Sequence, residues 1–314
     1  MQVHGDLDKI SFFQSRQMQD SKEIMPSTTG LSSNKTVQIL AAAEKGGYGV
    51  LAAIAYNIEQ ILGLVQAAES SRSPLILQFF PWAITFSNGL LIETAALAAK
   101  KARVPIAIHL DHCQSADMVR RAADELPFDS IMVDMSHHEK ADNLRLTREL
   151  VAYCHSRGIA TEAEPGRIEG GEDGIADTAD LSGVLTTSEV VDEFIDTGVD
   201  FLAPAVGNIH GEYGSRGPIL DYDRLDSIAA ACRKRDVRVV IHGTNGWPQE
   251  VMSKVVSSGV SKVNVNKLVL DAYNDHFIAA APKTALTRLM EEGVEKTANL
   301  TETWMRYCGS AGKA

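Results

Sequence analysis

From residue 48 onward, short runs that are apolar almost throughout alternate with longer amphipathic stretches. The runs YGVLAAIAYN, PLILQ, VPIAIHL, DSIMVD, GIATEAE, DFLAPAVG, VRVVIHG and SKVNVN predict eight strands, and stretches such as SADMVRRAADEL, NLRLTRELVAYCHSRG and TTSEVVDEFIDTG predict helices between them. Strands without alternation belong to a parallel sheet whose outer face is covered by helices. Gly158 and Gly198 each end a helical stretch before the next strand, where a left-handed cap is needed. Eight such units over the ~250 residues typical of that architecture predict an α/β fold, a (β/α)8 TIM barrel, rather than an open doubly wound sheet. No dinucleotide fingerprint or Walker loop follows the first strand, which removes the usual chemistry of the open sheet.

The predicted organisation is a single domain with two appendages. Residues 1–35, through DSKEIMPSTTGLSSNK, are polar, Ser/Thr-rich and without sustained periodicity, and are expected to form a mobile N-terminal extension. The barrel is expected over residues 36–282 and a C-terminal helical extension over 283–314. Its helix, LTRLMEEGVEKTANLTETWMRYC, has two equally open positions: over a neighbouring subunit, or on its own barrel.

Composition narrows the partners. A chain of 314 residues can bury a large core, and a net charge of −11 argues against nucleic acid and anionic membrane, both of which demand a basic face. An anionic small substrate would need a local positive pocket. Cys113, Cys154, Cys232 and Cys308 form no C-x-x-C pair, so neither a zinc knot nor a disulfide framework is expected. A reducing, cytoplasmic location follows as the simplest expectation. No apolar run reaches the roughly 18–20 residues of a membrane span, and no signal-peptide or transit pattern opens the chain.

In a parallel barrel the reacting groups gather where the strands end. Asn57 closes the first run, Gln78 the second, the cluster His109, Asp111 and His112 the third, and Asp134 the fourth. Glu162 and Glu164 close the fifth, His210 follows the sixth, His242 ends the seventh, and Asn264 and Asn266 end the eighth. A single strand-end histidine is more often a hydrogen-bonded loop residue than a ligand. A barrel, however, would bring His112, His210 and His242 to one rim. Three neutral imidazoles with an open position describe a catalytic divalent-metal site, most naturally Zn2+. Asp134 and Glu164 would complete its shell or orient its ligands. His109 either faces the same mouth or packs inside the barrel, and Cys113 fits a small buried residue better than a soft ligand.

Two loops add to the picture. EAEPGRIEGGEDG, residues 162–174, is either a surface loop or an active-site lid, with Glu172 as a candidate general base. HGTNG offers the N–H groups of Gly243, Thr244 and Asn245 beside a helix opening with WPQEV, with Pro248 in its first turn, and NVNK adds Lys267. The loops after strands seven and eight are the habitual phosphate site of such barrels.

These motifs, with AAAEKGGYGVLAAIAYN, AAESSRSPLILQ, HLDHC, VDMS and TGVDFLAPAVGNIHGEYG in order, make the chain resemble the class II, zinc-dependent fructose-bisphosphate and tagatose-bisphosphate aldolases from Thr36 to Pro282. The resemblance implies an aldehyde-lyase of carbohydrate metabolism, glycolysis included, that reversibly cleaves a ketose such as fructose 1,6-bisphosphate through a metal-stabilised enediolate. It implies one catalytic zinc on His112, His210 and His242, with Asp111 exchanging the proton of the aldol hydroxyl. Glu164 and Asp134 match acids linked to alternative or additional binding, so that a second divalent or a monovalent cation is accommodated. Glu172 matches the loop acid that moves the proton at the nucleophilic carbon. Asn57, Gly211, Gly243, Thr244, Asn245, Asn264, Val265, Asn266 and Lys267 match positions that hold a ketose or ketose phosphate, and Gln78 joins them as a strand-end polar group. A homo-oligomer, dimer or larger, is also implied. The rival Schiff-base strategy needs a buried Lys; DFLAPAVG has none, and Lys262 is expected toward the barrel bottom.

Departures from the family pattern cluster around the substrate. Phe80 stands where a Ser is usual, Asn245 replaces the Ser of HGxSG, Met135 replaces a Gly, and Lys267 with Leu268 replaces a Thr-Asp or Thr-Glu pair. Chemistry retained with substrate altered is the expectation. The alternatives are an aldolase for a non-phosphorylated ketone, a metal-dependent hydrolase, and a catalytically silent aldolase-like binding protein.

Overall fold

The computed structural model describes residues 30–171 and 184–314. Eight parallel strands close on themselves in sequence order: β1 (Val50–Ile54), β2 (Leu75–Phe79), β3 (Ile106–Cys113), β4 (Ser130–Val133), β5 (Ala160–Ala163), β6 (Phe201–Leu202), β7 (Arg238–Ile241) and β8 (Val260–Val265). The barrel shuts where β8 pairs with β1, Val50 opposite Lys262 and Ala52 opposite Asn264. Every residue of these strands is buried, which explains why the runs lack alternation: outward side chains lie under helices and inward ones fill the barrel. The (β/α)8 barrel is the fold.

Strand ends differ from the sequence expectation for local reasons. The first strand stops at Ile54, because Asn57 turns its side chain to accept from the Gln60 N–H at 2.9 Å and so caps α2 (Ile58–Ser71). The sixth shrinks to Phe201–Leu202, since Pro204 has no N–H with which to continue the ladder. Pro248 sits one position earlier than expected, just before α9 (Gln249–Ser257) rather than in its first turn.

Helix α1 (Lys35–Gly46) closes the end of the barrel opposite the strand C-termini. Thr36, Ile39, Leu40 and Ala43 recur at helical spacing, are buried, and meet the inward residues Val50, Ala52, Ile76, Ala107 and Phe201. Asn34 caps this helix by accepting from Val37 N–H, and its Nδ2 donates to the carbonyls of Asp129 (2.7 Å) and Gly158 (2.9 Å), just ahead of β4 and β5. One side chain thus pins the plug to two strands.

The C-terminal helix α11 (Leu286–Tyr307) lies on its own barrel, against α2 and α10 (Lys267–Ala280). Gly63 permits the approach: a Cβ there would stand 2.7 Å from Thr297 Cβ and 2.8 Å from the Val294 carbonyl. All four cysteines are free and buried. Among the described residues no single helix is long and apolar enough to cross a membrane.

Candidate metal centre

The site begins with an irregularity in β3. Its ladder to β4 is regular through Leu110, shifts across the next two residues, and resumes at Cys113 opposite Val133. In a regular strand Asp111 and His112 would point to opposite faces. Here His112 takes φ 47°, in the left-handed region, and the bulge turns both side chains into the barrel mouth. Such a backbone costs about 1–3 kcal/mol and persists only where surrounding contacts over-determine it.

Those contacts are present. Asp111 accepts from Gln78 Nε2 at 3.2 Å and from Asn264 Nδ2 at 3.1 and 3.2 Å. His112 Nδ1 lies 2.8 Å from Asp134 Oδ2, and the other Asp134 oxygen accepts from Ser136 N–H (3.1 Å) and Oγ–H (2.6 Å). His242, at the end of β7, places Nε2 2.9 Å from Glu162 Oε1 and Nδ1 3.0 Å from His112 Nε2. His210 completes the group; the ligand atoms of the three rings all lie within 4.8 Å of one another. Gly243 and Gly170 make the close approach possible. A Cβ on Gly243 would sit 2.1 Å from the Ile209 carbonyl and one on Gly170 2.1 Å from that of His210, both at positive φ.

The carboxylate behind His112 needs an N–H donor, which places a proton on His112 Nδ1. His242 Nε2 faces both the Glu162 carboxylate at 2.9 Å and the Asn264 amide nitrogen at 3.1 Å, and the charged carboxylate, the shorter and stronger partner, favours a proton there. The nitrogens left over then face each other across 3.0 Å. Burial opposes charge on His112, but Asp111, Asp134 and Glu164 outweigh it and push its pKa up to about 10. Burial, then the His112 charge, holds His210 and His242 well below the ordinary imidazole range. In a metal-free site, one proton between His112 and His242 therefore takes the place of a cation. Burial opposes ionisation of Asp134 too, but hydrogen bonding and charge from His112, with the bonds from Ser136, hold it far below the carboxylate range. Burial followed by the Asp134 charge pushes Glu164 up to about 8, and burial raises Asp111 against the pull of His112.

Do the residues fit a metal? His210 Nε2 and Glu164 Oε2 are both buried without a hydrogen-bond partner, a costly state that a cation would relieve. Three imidazoles, two of them oriented by carboxylates, make a donor set that could hold a divalent metal ion.

The cavity over these rings is lined by Ile54, Asp111, His112, His210, His242, Gly243, Asn264, Val265 and Asn266. Other residues expected at the site stand farther back. Gln78 lies behind Asp111; Thr244 donates its hydroxyl to the Asn264 carbonyl at 2.7 Å; Asn245 is buried; and Gly211 (φ 97°) follows His210 outside the lining. Asn57 caps α2 and donates Nδ2 to Tyr273 Oη at 2.9 Å. Lys267, half-exposed at the start of α10, pairs with Glu212 at 2.8 Å. Asp134 stands behind His112, and Glu164 Oε1 accepts from Ile168 N–H at 2.7 Å. Glu172 lies outside the described residues. Cys113 Sγ faces the Ser115 carbonyl, burial pushes its thiol up to about 12, and it is not among the clustered donor atoms. Phe80 is buried with its ring centroid 6.3 Å from that of His112 and 6.3 Å from that of Tyr56, whose hydroxyl accepts from Asn266 Nδ2. Phe80 therefore forms an apolar wall beside the three histidines.

One expectation is corrected. The backbone of Lys262 is low in the barrel, opposite the first residue of β1, but its four-carbon stem carries the ammonium up to Glu162 Oε2 at 2.7 Å and Asn264 Oδ1 at 2.9 Å, directly under the histidines. His109 is in the same layer, with Nδ1 2.8 Å from Ser130 Oγ. Nothing in the sequence assigns Glu162 a role beyond closing the fifth run. The available signal was a charged residue inside a strand buried on both faces, which requires a partner.

Comparison with known proteins identifies the family. The family model described as class II fructose-bisphosphate aldolase matches residues 34–313. A Coccidioides immitis protein provisionally named fructose-bisphosphate aldolase is 50% identical over 291 residues, covering 90% of this chain and 96% of that protein. A crystal structure from the same organism, provisionally described as a fructose-1,6-bisphosphate aldolase, superposes with a TM-score of 0.88 at 50% identity over 90% of this chain and 99% of that one. The 6-phospho-5-dehydro-2-deoxy-D-gluconate aldolase of Bacillus velezensis is 31% identical over 284 residues, 88% of this chain and 95% of that protein.

Proposed function

Because the chain belongs to the class II fructose-bisphosphate aldolase family, we propose that it is a zinc-dependent lyase performing reversible aldol cleavage of a phosphorylated ketose, with fructose 1,6-bisphosphate the first substrate to test. The observation that carries this reading is the pair of facing nitrogens, His112 Nε2 and His242 Nδ1, with the orphaned His210 Nε2 beside them and Asp111 in the same cavity.

A divalent ion held by His112, His210 and His242 would supply Lewis-acid stabilisation of negative charge developing on a ketose oxygen. The chain's own groups do the rest. Asp111, its oxygens held by Gln78 and Asn264, is aimed to exchange a proton with the aldol hydroxyl. Asn266 and the backbone of Gly243 face the cavity as substrate contacts. Glu172 is assigned the proton at the nucleophilic carbon, and Lys267 an anion contact at the rim. The buried Lys262 is no Schiff-base nucleophile, since its ammonium is engaged by Glu162 and Asn264 inside the barrel.

A second reading keeps the chemistry and changes the ketose. Phe80 against His112 favours it, because that wall offers a substrate apolar contact and no hydrogen bond. The Bacillus velezensis relative makes 6-phospho-5-dehydro-2-deoxy-D-gluconate the natural second substrate. The test is cleavage of both compounds by zinc-loaded and chelator-stripped protein. Turnover restored by zinc supports the proposal; full turnover without metal, or no cleavage of any ketose phosphate, overturns it.

A further inference from the structure

Lys262 and Glu162 form a fully buried ion pair in the layer beneath the three histidines, Nζ 2.7 Å from Oε2, with neither side chain exposed. Taking two charges out of water is costly, and apolar residues of similar volume would be at least as stable there. Packing alone does not account for the pair. Its contacts suggest what does. The second oxygen of Glu162 meets His242 Nε2 at 2.9 Å, while the same Lys262 ammonium donates to Asn264 Oδ1 at 2.9 Å. The Asn264 amide nitrogen in turn donates to both oxygens of Asp111 and also lies 3.1 Å from His242 Nε2, where it meets the same ring nitrogen as Glu162. From below, His109 Nε2 stands 3.4 Å from Nζ; its other nitrogen bonds Ser130 Oγ, itself 2.9 Å from Thr36 Oγ1 on α1.

We propose that Lys262 is a positioning residue for both halves of the site. Its ammonium fixes Glu162 so that Oε1 meets the His242 Nε2–H and leaves Nδ1 facing His112 Nε2, where it would be free to hold a metal ion, and it fixes Asn264 so that the amide N–H groups hold Asp111. Alternation along β8 makes this possible: Lys262 and Asn264, two residues apart, share the inward face. Donor atoms of His109, Asp111 and Glu162 also cluster within 4.8 Å, which resembles a second metal site. Lys262 Nζ lies within 3.4 Å of two of those three residues, so its charge fills the place a second ion would take. The inference rests on the reading of His112, His210 and His242 as metal ligands.

Zinc affinity measured by competition with a chromophoric chelator tests it, together with the visible spectrum of the Co2+-loaded protein and the melting temperature of the metal-free protein. Replacing the pair by Glu162→Leu with Lys262→Met leaves no orphaned charge. That variant is expected to fold, bind zinc about 10- to 100-fold more weakly and shift the Co2+ bands. Glu162→Gln with Lys262→Met keeps an amide oxygen for His242 and is expected to recover part of the affinity. A folded Leu/Met variant with wild-type zinc affinity and an unchanged Co2+ spectrum overturns the inference, whatever its melting temperature. Should it not fold, nitrogen NMR of 15N-histidine-labelled, metal-free wild-type protein decides: His242 protonated at Nε2 is expected, and protonation at Nδ1 refutes the clamp. Wild-type protein that binds no zinc would instead remove the metal reading itself.

Discussion

His242 presents Nδ1 to His112 Nε2 across 3.0 Å, while the far nitrogen of each ring is tied to a carboxylate, Glu162 behind the one and Asp134 behind the other. Neither ring can rotate to relieve the encounter without abandoning a buried carboxylate. The gap is stable only with a proton or a cation in it, and that requirement generates most of what can be tested.

Removing a ligand should empty the site. His242→Ala is expected to fold and to lower bound zinc from about one ion per chain to below about a tenth. Elemental analysis after gel filtration, with circular dichroism as the folding check, measures this; full zinc occupancy in the variant would show that the ion sits elsewhere.

Asp134 acts through His112. With Asp134→Asn the ring loses its charged partner at 2.8 Å, and zinc affinity should fall about 10- to 100-fold while the barrel stays intact. Unchanged affinity would mean that the ring's orientation is set by packing alone.

The pKa of about 10 at His112 makes metal uptake depend on pH. In the metal-free protein its raised pKa contributes stability that is fully present below about 6.5 and disappears as pH rises toward 10. Zinc needs the lone pair and must displace that proton, so its affinity should rise about tenfold per pH unit through this window. Calorimetry at pH 8 in buffers of different ionisation enthalpy should register release of at least about one proton per ion. A pH-independent zinc affinity would show that no proton occupies the gap.

Asp111 separates metal binding from proton transfer. Asp111→Asn is expected to retain zinc and to lose about 10²- to 10⁴-fold in kcat. Retained activity would reassign the proton step.

Lys267 tests the anion contact. Its pair with Glu212 is half-exposed and contributes little to stability, so Lys267→Met should melt near the wild-type temperature. KM for a phosphorylated ketose should rise about tenfold, with that for a neutral ketose unchanged. Equal effects on both would place the phosphate away from the start of α10.

How much of this was legible in the chain differs from layer to layer. The eight strands were visible because a strand covered on both faces must be apolar at nearly every position, as VLAAI and LILQF are. The histidines were legible because chemistry in a parallel barrel collects at strand ends. Helix α1 passed unnoticed as an element: its buried stripe of Thr36, Ile39, Leu40 and Ala43 is short, and its role as a plug depends on the barrel end it covers.

Periodicity and the order of residues along the chain were enough to establish the barrel, the mouth at which polar residues collect, and the three imidazoles that meet there. Two facts needed the fold itself. One is the bulge that turns both Asp111 and His112 inward, since regular alternation places them on opposite faces. The other is the use of Lys262 and Glu162, 100 residues apart, as a pair beneath the histidines. Alternation along a strand gives the direction of a side chain only where the ladder is regular, and the partner it finds depends on which strands the closed sheet brings opposite it.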